Sequence, residues 1–399
     1  MEVLLVNPPQ PELRQPRAYI PLGLAYIGAV LERSNIPVKI WNVADRRVGE
    51  IRKIPHADIY GITCVTAAYR SVVQLSRKIK ERGGRVVLGG IHASIMPEQT
   101  LKDSSCDHVI TGEAEFAFRD LVLGEIRSPI FNAGIIKELD ELPMPARHLF
   151  NGRDVVDFTE IHGRTYDRSR RGATTICTSR GCPYNCAFCC KNPFTKTVRL
   201  HSPRRVVEEF KQVVKDYGIA HFRIVDDMFT VNRERVEEIC RLIKVEDLTI
   251  YWTCITRSDH VDKNLLHVMY EAGCRQIDFG IESGSQRILN LMRKGTTVER
   301  NEEAVKAAKE EGIRVKVFLM HGFPSETKRD LEKTVDFVKR VKPHAFTLSK
   351  FQPLPGSHIW SHPEKYGLNA LEKGSYFYPD SDEEHRKLKE TLEGCGEWS

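Results

Sequence analysis

The chain has 399 residues, which the usual domain size turns into two or three domains. Hydrophobic residues make up 41% and charged residues 29%, enough apolar material for buried cores and not the composition of a disordered chain. Sixty Lys and Arg against 54 Asp and Glu leave a charge of +6, too slight over this length to call for a nucleic-acid partner. The most apolar early stretch, Tyr19 to Val30, is short and interrupted by Pro21, Gly23 and Gly28, so no membrane span is expected. Eleven cysteines, with no basic region in the opening Met1-Glu2-Val3, read as a soluble cytoplasmic protein whose cysteine clusters serve metal or catalysis rather than disulfides.

Along the chain, Val3–Val6 reads as a buried strand ending at Asn7-Pro8-Pro9, and Leu22 to Arg33 has helical apolar spacing. Val38–Trp41 and Ile59–Cys64 return to strand, Val72–Arg82 is helical, and Val86–Leu88 precedes Gly89-Gly90. Val109-Ile110 before Gly112-Glu113 and a helix from Ala114 close the series. Strands alternating with helices predict a doubly wound, Rossmann-like parallel sheet over residues 1–133, with ligands at the carboxyl ends of its strands. Those ends carry Asn7, Thr63, Gly89, Gly90, His92, Gly112 and Glu113. Residues 134–172 read as a linker, with Pro143 and Pro145 and an irregular basic run holding Arg164, Arg168, Arg170 and Arg171, a weak hint of an anionic substrate or carrier.

A second series occupies residues 173–350. Strands are expected at Thr174–Thr178, His221–Val225, Leu248–Thr253, Gln276–Phe279, Val315–Met320 and Ala345–Leu348. Helices are expected at Val206–Tyr217, Arg233–Ile243, Asn264–Glu271, Ser285–Met292, Glu299–Glu310 and Glu326–Val341. Six strand–helix repeats are too few for an eight-fold barrel and fit a partial (β/α)6 barrel. The remainder, 351–399, is a loop-rich cap with one late helix near Glu383–Leu392.

Directly after the first of these strands stands Gly181-Cys182-Pro183-Tyr184-Asn185-Cys186-Ala187-Phe188-Cys189-Cys190. Cys182, Cys186 and Cys189 make a C-x3-C-x2-C triplet, which brings three thiolates onto one loop. Soft thiolates suit an iron–sulfur cluster or zinc. Structural zinc wants a fourth ligand, and no second knuckle follows, Cys190 being adjacent and awkward as that arm. Three ligands on a cubane leave one iron open.

The triplet, with an aromatic just before its last cysteine, resembles the radical S-adenosylmethionine (SAM) enzymes. The resemblance continues in Val225-Asp226-Asp227-Met228, Gly280-Ile281-Glu282-Ser283-Gly284, Lys294-Gly295-Thr296-Thr297, Gly322-Phe323-Pro324 and Pro353-Leu354-Pro355-Gly356. With Gly89-Gly90-Ile91-His92 and Gly112-Glu113-Ala114-Glu115 it is similar to the class with an amino-terminal cobalamin-binding (B12) domain. That resemblance implies a [4Fe–4S] cluster on Cys182, Cys186 and Cys189, SAM on the open iron, and Phe188 along the adenine. It further implies SAM contacts from Asp226, Asp227, Arg257, Glu282, Ser283 and His321, all near strand ends, and reductive cleavage to a 5′-deoxyadenosyl radical. The loop after the first strand lacks the histidine with which many such domains hold cobalt, and His92 is in the wrong place for that role. Cobalamin is therefore expected without a protein ligand on its lower face. The implied activity is hydrogen abstraction from an unactivated carbon and methyl transfer to it. Alternatives are a cyclisation, rearrangement or coupling enzyme whose first domain is scaffold, or a non-catalytic cluster protein. A small-molecule or carrier-bound substrate and an external flavodoxin- or ferredoxin-type reductant complete the expectation, and no catalytic residue beyond the cofactor contacts is assigned.

Overall fold

The apolar run that opens the chain folds as β1 (Val3–Asn7), every residue of it buried. Successive strand side chains leave on opposite faces, and here Leu4 and Val6 enter one core while Val3 and Leu5 enter another. A strand with a core on both sides belongs inside a parallel sheet covered by helices on each face. In the computed structural model, which describes residues 1–11, 13, 15–150, 154, 156–157, 165–170, 172–190, 196–368, 383–393 and 397–398, that is its place. β2 (Val38–Asn42), β3 (Ile59–Thr63), β4 (Arg85–Gly89), β5 (His108–Thr111) and β6 (Ile130–Asn132) complete a parallel sheet of order β2-β1-β3-β4-β5-β6. Helices α1 (Leu22–Arg33) and α5 (Ala114–Val122) cover the Val3 face. α2 (Tyr69–Lys80), α3 (Ile91–Ile95) and α4 (Pro97–Ser104) cover the other. The strand order reverses between β1 and β3, so their carboxyl ends flank the crevice where such sheets bind ligands. β6 and α4 have no counterpart in the sequence reading, because three half-exposed residues and one eight-residue helix carry too little periodicity to register.

The chain separates into two units, Met1–Val156 and Asp157–Ser399. The division falls inside the stretch read as a linker, for a physical reason: Leu139, Leu142 and Ala146 are buried, and the Ala146 amide donates to Ala25 O of α1 at 3.0 Å. Arg164, Arg171 and Cys395 lie outside the described residues.

The second unit is an open parallel barrel with β7 (Gly172–Ile176), β8 (His221–Ile224), β9 (Tyr251–Thr256), β10 (Cys274–Glu282), β11 (Arg314–His321) and β12 (Ala345–Lys350) in sequence order. Between them run α6 (Pro203–Tyr217), α7 (Arg233–Val245), α8 (Lys263–Glu271), α9 (Gln286–Leu291), α10 (Val298–Glu310) and α11 (Lys328–Val341). Each long helix starts where a side chain can take an otherwise unpaired amide: Ser202, Asn232, Asp262, Thr297 and Thr327 each accept from the residue three positions on. The third strand begins at Tyr251 rather than Leu248, because Asp247 at φ +49° and the Leu248 amide on Ile243 O close off α7 first. β10 runs on from Phe279 to Glu282, with a register irregularity between Gly280 and Glu282.

Candidate functional site: the cysteine loop and the barrel mouth

The cysteine triplet sits on the loop that leaves β7, and the fold fixes both ends of that loop. Ser179-Arg180 pairs antiparallel with Arg199-Leu200, tying the outgoing arm to the returning one. Buried Arg235 of α7 donates Nε to His201 O at 2.8 Å and Nη2 to Thr178 O at 2.6 Å, one carbonyl on each arm. Asp226, after β8, accepts from the Thr178 amide at 2.6 Å on Oδ1 and from the hydroxyls of Thr178 and Ser179 at 2.5 and 2.6 Å on Oδ2. Burial pushes its carboxyl above the usual range, opposed by these three donors and by Arg235. Asp226, expected at the mouth as a cofactor contact, is thus held inside as part of the loop's foundation. Asp227 is exposed.

The tip of the loop is gripped as well. Ala187 is wholly buried, its amide donates to Met292 O at 2.8 Å after α9, and its carbonyl accepts from Ile359 at 3.2 Å on the cap helix α12 (His358–Ser361). Ala187, Ile288, Met292, Phe323, Phe351 and Ile359 form one buried cluster, with Phe188 and Met320 packed on it. Cys182, Cys186 and Cys189 are in no disulfide and lie half-buried on this clamped loop. The Cys190 Sγ donates to Pro355 O at 2.8 Å, and burial pushes its thiol up to about 11. Among the described residues no three His, Cys, Asp or Glu side chains converge to hold a single metal ion. A cubane makes a different demand, one thiolate at each of three corners, and three cysteines outside any disulfide on one clamped loop suit it.

Around the loop stand two charged assemblies. The Arg257 guanidinium lies 3.7 Å from the Tyr184 ring centroid and forks onto Asp259 with bonds of 2.8 and 2.6 Å, a placement a planar cation suits. Its Nη1 is buried and makes no hydrogen bond, leaving one donor for a ligand. The Tyr184 hydroxyl bonds His260 Nε2; burial raises the tyrosine's pKa and lowers the histidine's, so both are neutral. The second assembly is Glu282 with Lys294, their side chains 12% and 7% exposed and 3.0 Å apart. Glu282 ends β10 at φ +67°, an unusual conformation for a glutamate. A Cβ on Gly280 would lie 2.8 Å from Lys294 Nζ and 2.9 Å from Glu282 Oε1, so any side chain there would displace the tips of the pair. The Phe188 ring centroid is 6.0 Å from the same Nζ. Lys294 was quoted in the sequence only within a motif; its twelve-residue separation from Glu282 hid the pairing.

One further expectation changes. Ser283 is fully buried, its hydroxyl 3.2 Å from Thr334 Oγ1 and accepting from the Ser285 amide at 3.1 Å, so it joins the strand-end turn to α11. His321 ends β11 buried, its carbonyl accepting from the Phe351 amide at 2.7 Å.

In the first unit, Thr63 and Gly89 are half-buried at the carboxyl ends of the central strands β3 and β4, a Cβ on Gly89 would meet Ile110 O at 3.6 Å, and Val65 beside them is exposed. Gly90, at φ +99°, starts α3. The remaining expected contacts are engaged by the fold itself. Asn7 donates to Asn42 Oδ1 at 2.9 Å and accepts from Gln10 at 3.1 Å. His92 is turned inward, fully buried, 4.1 Å ring to ring from Tyr69, and burial lowers its pKa to about 4. Gly112, at φ +84°, lies so close to Gly134 that a Cβ would come within 2.3 Å of its carbonyl, and Glu113 Oε2 accepts from the Ile136 amide at 2.7 Å.

Comparison with known proteins fits these two units. The Radical SAM superfamily matches residues 176–338 and the B12 binding domain matches residues 17–122. The uncharacterized methyltransferase PH0819 of Pyrococcus horikoshii is 33% identical over 394 residues, spanning 91% of this chain and 83% of its own. The anaerobic magnesium-protoporphyrin IX monomethyl ester cyclase of Rubrivivax gelatinosus is 27% identical, spanning 81% of this chain and 61% of its own. The radical SAM methyltransferase TsrM of Kitasatospora setae, solved with cobalamin and a [4Fe–4S] cluster, shares the fold with a TM-score of 0.72 at 18% identity over 98% of this chain and 85% of that one. A Rossmann-like sheet joined to an open barrel that opens with a three-cysteine loop is the architecture of radical SAM enzymes with an amino-terminal B12-binding domain, and this chain belongs to that family.

Proposed function

We propose that the chain is a cobalamin-dependent radical SAM methyltransferase that acts on an unactivated carbon of a small or carrier-bound substrate. One observation carries the reading: three cysteines outside any disulfide on a loop fixed at its base by Asp226 and Arg235 and at its tip by Ala187, next to a buried arginine with an open donor. Cys182, Cys186 and Cys189 would hold three irons and leave the fourth to SAM. When bound, the cluster supplies the electron that cleaves SAM, and cobalamin supplies the methyl group.

The residues around the loop then bind and orient. Arg257 Nη1 would take the SAM carboxylate, while its fork on Asp259 and its seat on Tyr184 hold it still. Glu282 would accept from the SAM ammonium or ribose hydroxyls, oriented by Lys294, and Phe188 would pack along the adenine. The cluster of Phe323, Phe351 and Ile359 over Ala187 excludes water from that side. In the first unit, Thr63, Gly89 and Gly90, beside exposed Val65, offer a side-chain-poor edge at the strand-order reversal for a flat macrocycle. His92 faces the core, which supports cobalt held without a protein histidine below. The reading requires a one-electron donor of flavodoxin or ferredoxin type and suits a cytoplasmic setting.

The cyclase relative favours a second reading, in which the same radical chemistry closes a ring and no methyl group is delivered. Anaerobic reconstitution with SAM and cobalamin separates them, read by iron, sulfide and cobalt content and by mass spectrometry of 5′-deoxyadenosine. The proposal expects stoichiometric cobalt, and Cys186→Ala losing cluster and deoxyadenosine together. Deoxyadenosine from that variant refutes the ligand assignment, and a chain that takes up cluster but no cobalamin favours the cyclase-type reading.

A further inference from the structure

The concave side of the barrel carries a charge outside the two assemblies around the cysteine loop. Along β11, Val315, Val317 and Leu319 are buried, and the alternate residues Lys316, Phe318 and Met320 remain half-buried. Which face is concave follows from a bond that skips a strand: Arg223 Nη2 on β8 reaches Asp278 Oδ2 on β10 at 3.0 Å, across β9. Gln276 Nε2 takes the other oxygen of Asp278 at 2.8 Å. Lys316 is the register partner of Asp278 on β11 and so faces the same side. Burial lowers its pKa, as does the charge of Arg223, while the Asp278 carboxylate opposes both. Among the described residues its ammonium makes no hydrogen bond or ion pair, and the Phe318 ring centroid lies 5.3 Å from Nζ. Two cations therefore surround one carboxylate that already has donors on both oxygens. A part-buried ammonium without an anion is a costly arrangement unless something brings the anion.

We propose that Lys316 binds the anionic end of the substrate, a carboxylate or phosphate group at one end of an elongated, largely apolar molecule. The claim rests on the proposed function only in calling that molecule a substrate. Phe318 and Met320 continue the row towards the carboxyl end of β11, and Met320 packs on the cluster that holds Ala187 and Phe188 of the cysteine loop. From residue 316 to 320 a strand advances about 13 Å. A molecule anchored at Lys316 would lie along Phe318 and present a carbon on the order of 10 Å from its acid group to the cysteine loop. A positively charged, aromatic-lined row of this kind selects an acid over its neutral isostere.

Calorimetric titration of the full chain, reconstituted with iron and sulfide under anoxic conditions, tests this with hexanoate, hexyl phosphate and hexanamide as probes. The acid or the phosphate should bind about tenfold tighter than the amide, the effect of one charge-assisted hydrogen bond. The tighter of the two acids identifies the anion. Lys316→Met should abolish the preference and Lys316→Arg should retain it. Acetylation of the unmodified chain, mapped by mass spectrometry, provides a check that does not depend on a variant folding: the favoured acid should slow modification of Lys316 about tenfold and hexanamide should not. Equal affinities for all three probes, or Lys316 acetylated at the same rate with and without acid, overturn the inference. Iron content is read on the same preparation, so a loaded chain indifferent to charge refutes Lys316 alone, and a chain that takes no iron yet prefers the acid refutes the cluster reading alone.

Discussion

Replacing Lys294 with Met tests the most exposed assumption about the barrel mouth, that Glu282 is held by its partner and not merely near it. The two groups are 3.0 Å apart with side chains 7% and 12% exposed. At an effective dielectric near 20 their attraction is about 5 kcal/mol, much of it cancelled by the desolvation of both ions. Removing the lysine keeps the desolvation of Glu282 and loses its compensation, so the single variant should be less stable by about 3 kcal/mol. For a domain of this size that lowers Tm by about 6–12 °C. Lys294→Met combined with Glu282→Gln removes both charges and should recover about half of the loss, the pattern of a coupled pair. Gly280→Ala should cost less than the single variant, because its new Cβ would sit 2.8 Å from Lys294 Nζ, the movable end of a long side chain. Thermal melts of the four proteins without cofactors, followed by far-ultraviolet circular dichroism, provide the measurement. A Lys294→Met melt within 1–2 °C of the parent, roughly the shift expected of an exposed pair, refutes the reasoning, as does a double variant no more stable than the single.

Other substitutions separate fold from cofactor binding. Asp226→Asn should destabilise the cofactor-free chain by about 2–4 kcal/mol, because an amide cannot accept from all three donors of Thr178 and Ser179; an unchanged denaturant midpoint would return Asp226 to a purely ligand-binding role. Gly112→Ala should cost at least about 2 kcal/mol in urea unfolding, since residue 112 lies at φ +84° against Gly134 O; a neutral effect would show that the turn relaxes freely. His92, whose pKa burial lowers to about 4 from the ordinary 6.5, binds a proton more readily unfolded than folded. Its contribution is therefore lost as pH falls below 6.5, by about 2 kcal/mol at pH 5 relative to pH 7. His92→Leu should flatten that part of the pH profile, and equal acid sensitivity in the two chains would contradict its burial as a neutral ring. The same variant should leave the axial-ligand signature of bound cobalamin unchanged by paramagnetic resonance.

What the sequence disclosed and what it hid divide along a physical line. The cysteine triplet was legible because its ligands lie within eight residues, so spacing alone brings them together. The strand–helix alternation was legible because burial on both faces demands apolar runs at fixed intervals. The base of the cysteine loop was hidden, since Arg235 meets Thr178 and His201 only after α6 and β8 have intervened. The Glu282–Lys294 pair was hidden for a related reason: the chain returns through α9 and a turn with Arg293 at φ +54° and Gly295 at φ +69° before the lysine comes back to the strand end.

The misplaced expectations share one cause. Asn7, His92, Glu113, Asp226 and Ser283 were all assigned to ligands because each stands at or just beyond a strand's carboxyl end, where parallel sheets gather their binding groups. That rule locates a residue without saying whether its polar atoms are still available. Asp226 has taken three donors from the neighbouring strand's loop, Ser283 serves the turn to α11, and His92 rotates inward with the first turn of α3. Arg257, in an equivalent position, keeps one buried donor open. Lys316, which no strand-end rule selects, keeps a whole ammonium open. Free hydrogen-bonding capacity at a desolvated position costs stability unless a ligand restores it, so it is a sharper mark of function than position along a strand. By that measure Arg257 and Lys316 are where this fold holds capacity in reserve for molecules outside the chain.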